Sequence, residues 1–167
     1  TDPDCDRLGV AAPVTLKPGA EWKTFTGNRI GTLLAEYILS SRKTAGTLTR
    51  DHYVVKTLVT TELIRRIAES YNVRTEGNLH VGYKFIAQTM DRCGPEKFVY
   101  GAEESHGYLV GQYARDKDGV VATMLMSQLA GKCKAAGQSL HEALDNLFWQ
   151  YGYHAETTVS VMMPGSE

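Results

Sequence analysis

Apolar residues in this chain recur at two spacings, and the two alternate along it. Ile30, Leu33, Leu34, Tyr37 and Ile38 fall at i, i+3, i+4, i+7 and i+8, the single apolar stripe of a helix. The polar stretch 40–49 ends that helix. Residues 53–59 are rich in β-branched side chains and predict a strand. A second helical stripe follows in Leu63, Ile64, Ile67, Ala68 and Tyr71, with Thr60 or Thr61 as its cap and Asn72 suited to a left-handed C-terminal position. Next come a short strand at 73–75, a loop at 77–82, a helix over 83–92 stopped by Gly94-Pro95, and a strand at 97–101. A long apolar helix covers 119–134, with Gly137 closing it. Ser139 and Glu142 have the spacing of a capping box, and Leu140, Leu144, Leu147, Phe148 and Tyr151 line the helix they open, which Gly152 ends. Alternation at 154–162 predicts a last strand. At the other end, 8–12 reads as a short buried strand, and 13–26, with Pro13, Pro18 and Gly19 and no apolar period, as a linker. From residue 27 onward, strands alternate with helices, which predicts an α/β fold with a small sheet layered with helices.

Composition narrows the function without naming it. Apolar residues make up 43% and charged residues 22% of 167 positions, the balance of a globular domain. The formal net charge of -1 gives no electrostatic case for nucleic acid or an anionic membrane as partner. No apolar run approaches the roughly 18–20 residues that span a bilayer. Cys5, Cys93 and Cys133 are odd in number and widely spaced, so they predict neither a disulfide framework nor a zinc site, and a reducing cytoplasm is expected. The chain starts at Thr1 without a Met or a leader-like segment, and an acid-dense motif begins at residue 2. Functional loops usually sit between the elements that hold them, so further sequence is expected upstream.

That motif is Asp2-Pro3-Asp4-Cys5-Asp6-Arg7. Three carboxylates at alternate positions point one way in an extended segment. Like charges brought together repel unless a cation neutralises them, and an all-oxygen donor set favours Mg²⁺, Mn²⁺ or Ca²⁺ over zinc. An EF-hand loop starting at Asp2 is excluded, because its sixth and twelfth positions hold Arg7 and Pro13 where Gly and Glu are needed. Arg7 beside the cluster suggests a phosphate partner, which guanidinium grips as a fork. On spacing alone, a solvated acidic terminus competes with the metal reading.

A second motif, Gly101-Ala102-Glu103-Glu104-Ser105-His106-Gly107-Tyr108, follows a predicted strand, where ligand sites of α/β sheets gather. A carboxylate and a hydroxyl suit vicinal sugar hydroxyls. An exposed acidic turn is the competing reading. Arg115-Asp116-Lys117-Asp118-Gly119 is a charged turn before the long helix, with Asp118 placed to cap it. Val81-Gly82-Tyr83-Lys84 opens another helix, whose free N–H groups suit an anion. His80 and His106 read as structural or exposed.

In this order the motifs resemble the phosphoglucomutase/phosphomannomutase (phosphohexomutase) family. Asp-Pro-Asp-x-Asp-Arg-Leu-Gly-Val resembles its metal loop, Glu-Glu-Ser-x-Gly its sugar loop, Gly-Tyr-Lys a substrate-side loop, and Thr26-Gly27-Asn28-x-Ile30-Gly31 the first helix of its third domain. The resemblance implies the fold of that domain, a small mixed β-sheet layered with helices. It also implies Mg²⁺ held by Asp2, Asp4 and Asp6 together with a phosphoserine from another domain. Arg7 and Lys117 become catalytic candidates, with Lys117 assisting proton transfer if its pKa is depressed. Glu103 and Ser105 become contacts to sugar O3 and O4, and Gly82 and Lys84 further substrate contacts. Glu104 faces structure or solvent. Residues 1–12 then belong to the end of the second domain, 13–26 to a linker and 27–163 to the third, while the first and fourth domains, with the phosphoserine and a phosphate-binding loop, lie outside the chain. The implied activity interconverts hexose 1- and 6-phosphates of glucose or mannose through a bisphosphate, and the chain alone is expected to be inactive. An aspartyl-phosphatase-like phosphotransferase and a non-catalytic sugar-binding module are the alternatives.

Overall fold

The computed structural model describes residues 1–157, 159, 161, 162 and 165. A hairpin of β1 (Ala11–Pro13) and β2 (Trp22–Thr24) precedes α1 (Gly27–Thr44). Then come β3 (Tyr53–Thr57), α2 (Leu63–Ser70), β4 (Arg74–Leu79), α3 (Tyr83–Cys93), a 3₁₀ turn at Pro95–Lys97, β5 (Phe98–Ala102), β6 (Tyr108–Val110), α4 (Gly119–Ala135) and α5 (Leu140–Tyr151). The main sheet has the order β4-β3-β5-β6. β3 runs parallel to β4 and β5, and β6 is antiparallel to β5, so the sheet is mixed as expected.

The connections explain the layers. From β3 the chain crosses to β4 on one side, then passes back over β3 to β5 on the other. Two right-handed crossovers in opposite directions must put their helices on opposite faces. α3 accordingly packs with Tyr53, Val55, Phe98 and Leu109 through Tyr83, Ile86 and Met90. α1, α2, α4 and α5 share the other core with Val54 and Tyr100. β3 is buried at every position because both of its faces are covered. Tyr100 and Tyr108 lie in that second core and donate their hydroxyls to Gly31 O (3.1 Å) and Gly27 O (2.8 Å), fixing the start of α1. Asp118 and Ser139 cap α4 and α5 as predicted, Ser139 in a full capping box, and Asn72 is left-handed with φ 56°.

The differences lie where no apolar period exists. The expected linker 13–26 contains β2, whose residues are all exposed, and the strand expected at 8–12 pairs only from Ala11. β4 continues through 77–79, where a loop was expected, because a polar edge strand needs one ladder partner and no apolar alternation. α1 runs on to Thr44 through polar residues. Glu62, not a threonine, is the cap position of α2, although Thr61 Oγ1 accepts from Leu63 N at 3.1 Å. The strand expected at 154–162 is a correction: 154–157, 159, 161 and 162 are in no strand, and Thr158 and Ser160 lie outside the described residues, as does Met163. Val159, Val161 and Met162 are exposed. Among the described residues no helix is long and apolar enough to cross a membrane.

Candidate functional site

Three loops meet beyond the C-terminal ends of β3, β4 and β5, the edge where parallel sheets bind ligands. The turn after β5 carries Glu103 to His106. Glu103 is only 3% exposed, and its Oε1 accepts the N–H of Gly82 at the start of α3 (3.1 Å). The N–H expected to be free for a ligand is therefore taken by a carboxylate of the protein itself, which satisfies an orphan helix donor. Burial raises the pKa of Glu103, against the lowering effect of the Gly82 bond. Glu104 turns inward, its Oε2 3.1 and 3.3 Å from the hydroxyls of Thr57 and Thr60. Ser105 is exposed at the tip of the turn. His106 has φ 70° and donates Nδ1–H to Leu8 O at 3.0 Å, while Leu8 N donates back to His106 O at 3.1 Å.

Those bonds dock the aspartate loop on the turn. Arg7 also bridges to Gly107, and Gly119 N, at the start of α4, donates to Cys5 O at 3.0 Å. One carboxylate oxygen each from Asp2, Asp4 and Asp6 lies within 4.8 Å of the others. They converge on a turn, with Cys5 left-handed at φ 60°, and not on the extended segment that alternation suggested. Arg7 N donates to Asp2 Oδ1 (3.0 Å) and Arg7 Nη1 to Asp2 Oδ2 (3.3 Å). The backbone bond from Arg7 is the leading reason that Asp2 titrates below its ordinary value.

Lys117 joins the two loops. Its Nζ lies 2.6 Å from Asp6 Oδ2 and 3.2 Å from Asp116 Oδ1, above the ring of Tyr83. Burial alone lowers the pKa of Lys117, but the bonds from Asp6 and Asp116 outweigh it and the net shift is upward. The shift runs opposite to the depressed value that proton transfer by a neutral lysine calls for. Asp6 Oδ1 is buried without a hydrogen-bond partner among the described residues. An orphaned carboxylate oxygen facing two more carboxylates is a donor set that fits a hard divalent cation. Lys84 stands apart from this cluster: it is exposed and lies over the Phe85 ring at 5.0 Å. His80 is also exposed.

Residues 26–151 match the family model of the phosphoglucomutase/phosphomannomutase alpha/beta/alpha domain III. The chain belongs to that family. Phosphoglucomutase from Staphylococcus aureus (strain bovine RF122 / ET3-1) is 32% identical over the whole chain, which spans 29% of that relative's length. A Thermus thermophilus protein assigned as a phosphomannomutase has a TM-score of 0.68 at 26% identity, over 91% of this chain and 30% of that one. N-acetylphosphoglucosamine mutase from Aspergillus fumigatus, solved with glucose 1,6-bisphosphate, shares the fold at TM-score 0.54 and 16% identity, over 90% and 31%.

Within this domain III fold, sequence reasoning missed Lys56 and the strut made by His106. Lys56 is wholly buried at the end of β3, bonded to Thr57 O, Thr60 O and Glu62 Oε1. The available signal was a lone cation inside the β-branched run Val54-Val55-Lys56-Thr57, which forces a charge into a strand covered on both faces.

Proposed function

We propose that this chain is the metal-loop and sugar-loop portion of a phosphohexomutase that interconverts hexose 1-phosphate and hexose 6-phosphate. The observation that carries the reading is the direct tie between the aspartate loop and the Glu103 turn through Lys117, His106 and Gly119. It brings a cation-binding set and a hydroxyl-binding set to one place, as transfer of a phosphoryl group to a sugar requires. Residues 1–12 are the end of a second domain, 13–26 a connector and 27–163 the third domain. The remaining two domains lie in the rest of a protein of which this chain covers about the share seen in its relatives.

In this reading Glu103, with Oε1 held by Gly82 N, offers Oε2 to a sugar hydroxyl. Ser105 donates to and accepts from the neighbouring one. Lys117, Arg7 and, at the start of α3, Lys84 supply positive charge to a phosphate. Gly82 keeps the backbone open beside it. Asp2, Asp4 and Asp6 hold Mg²⁺, which when bound offsets negative charge building on phosphoryl oxygens. A phosphoserine from another domain phosphorylates the hexose phosphate, the bisphosphate reorients, and its other phosphate returns to the serine. Glucose 1,6-bisphosphate in the Aspergillus relative supports hexose phosphates as the substrate class. The protein works in a reducing cytoplasm, where Cys5, Cys93 and Cys133 stay free thiols. Asp2 is poorly suited to act as an attacking nucleophile, since both its oxygens accept from Arg7.

The test is a coupled assay for glucose 6-phosphate formed from glucose 1-phosphate. A longer protein containing this chain is expected to turn over only with Mg²⁺ and to lose most activity on Glu103→Ala. The 167-residue chain alone is expected to be inactive. Full activity of the Glu103→Ala protein would falsify the sugar-site reading, and turnover by the chain alone would refute its dependence on other domains.

A further inference from the structure

We propose that Lys117 sets the ion selectivity of the aspartate centre, by occupying one oxygen of Asp6 and leaving the other as its single point of attachment for a cation. This rests on the metal-centre reading above. Lys117 Nζ is 2.6 Å from Asp6 Oδ2, whereas Oδ1 is buried and has no hydrogen-bond partner among the described residues. Arg7 Nη1 stands 3.8 Å from Oδ1, too far for a hydrogen bond.

The lysine is not a loosely placed surface cation. Its side chain is 11% exposed and its Nζ is tethered a second time, to Asp116 Oδ1. Gly107 leaves room for its stem, since a Cβ there would stand 2.6 Å from Lys117 Cδ. The arm is thus fixed by the sugar-loop turn and aimed at the metal loop.

The consequence follows from coordination chemistry. Ca²⁺ takes six to eight oxygens and commonly uses both oxygens of a carboxylate, whereas Mg²⁺ takes six in a strict octahedron with one oxygen per ligand. With Oδ2 tied to Lys117, Asp6 is a one-oxygen ligand. That suits Mg²⁺ and denies Ca²⁺ an extra donor. Charge alone gives a different outcome, because a lysine repels both divalent ions equally. Removing it for charge alone raises both affinities by the same factor and leaves their ratio unchanged.

The experiment measures Mn²⁺ bound to a longer protein that contains this chain and the phosphoserine by electron paramagnetic resonance, then displaces it with Mg²⁺ and, separately, Ca²⁺. In the parent chain Mg²⁺ is expected to displace Mn²⁺ at the lower concentration. Lys117→Met is expected to move the ratio of the two midpoints toward Ca²⁺ by about tenfold, a typical effect of an outer-shell partner. Lys117→Arg, which keeps the contact to Oδ2, should hold the parent ratio. Asp116→Ala, which loosens the second tether, should shift it in the same direction by less, and serves if Lys117→Met fails to melt as a folded domain. An unchanged ratio in Lys117→Met, or in Asp116→Ala where that variant stands in, overturns the selectivity role while the metal centre stands. A longer parent protein that binds no Mn²⁺ overturns the metal-centre reading and the inference with it.

Discussion

Replacing Lys56 by Met asks what a buried cation does for this fold. The ammonium group is fully buried and bonds Thr60 O at 2.8 Å, Thr57 O at 3.2 Å and Glu62 Oε1 at 2.8 Å. Two effects oppose each other. Desolvating an ammonium costs several kcal/mol, and Met removes that cost while keeping most of the stem's packing. Against it stand hydrogen bonds from a charged donor, worth about 1.5–3 kcal/mol each. The partners decide the balance. Thr57 O keeps the N–H of Thr60 at 3.2 Å, and Glu62 keeps Arg65 Nε at 2.7 Å and is half exposed to water. Neither is stranded, so the penalty of about 3–5 kcal/mol for leaving a buried charge unpaired does not arise. What remains is the carbonyl of Thr60 without its side-chain donor, a loss of about 1–3 kcal/mol. For a domain of this size that corresponds to a fall in Tm of roughly 2–12 °C. Urea unfolding followed by far-UV circular dichroism measures it. Glu62→Gln isolates the exposed ion pair and should cost less than about 1 kcal/mol. A Lys56→Met chain as stable as the parent refutes the reasoning, since desolvation then outweighs the bonds. A Glu62→Gln loss equal to that of Lys56→Met also refutes it, by assigning the effect to the ion pair.

Glu103 has a raised pKa in the folded chain, so its contribution is largest below its ordinary value of 4.5 and is lost as pH rises through the folded value. Glu103→Gln keeps an acceptor for Gly82 N, and its Tm relative to the parent should become more favourable between about pH 4 and pH 7.5; a pH-independent difference refutes the assignment. Ser139→Ala removes the cap accepting Glu142 N (3.1 Å) and the bond to Val14 O (2.7 Å), and should cost about 1–3 kcal/mol in urea unfolding; a loss under about 0.5 kcal/mol shows the cap to be idle. Gly119→Ala sets a Cβ 2.7 and 2.8 Å from the carbonyl oxygens of Arg7 and Cys5, which must retreat. Exchange of the Leu8 amide should then quicken by about tenfold, as for a local opening eased by one to two kcal/mol; unchanged exchange means the loop is held without that contact.

The legible parts of the fold were those with a period or a cap. The stripe from Ile30 to Ile38 lies in α1, with Tyr37 as its half-buried edge, and Asp118 and Ser139 sit at the helix starts their chemistry suggested. The hairpin strand Trp22–Thr24 was invisible because every residue in it faces solvent, so neither apolar alternation nor burial marks it. The alternation near the C-terminus misled for the opposite reason: Val159 and Val161 alternate yet both are exposed, and no burial backs the pattern. In the site, the residue types were readable and their connections were not. That Gly82 N is used by Glu103, or that Lys117 reaches Asp6 across more than a hundred residues, depends on how β5, α3 and α4 pack. No local pattern carries that information.

The turn after β5 shows why these connections matter for chemistry. Of its four side chains, Glu103 is bonded to the start of α3, Glu104 to the end of β3 and the loop after it, and His106 to the aspartate loop. Three separate elements thus fix one short turn, and only Ser105 stays exposed at its tip. A hydroxyl held on such a base has few conformations left to lose on binding, which is how a loop attains the placement usually reserved for helices and strands. The same bonds set a limit. Because His106 bonds Leu8 while its neighbours bind α3 and β3, the aspartate loop cannot shift without dragging the turn that holds Glu103. The aspartate loop and the Glu103 turn are therefore one mechanical unit, and a change in either is felt by the other.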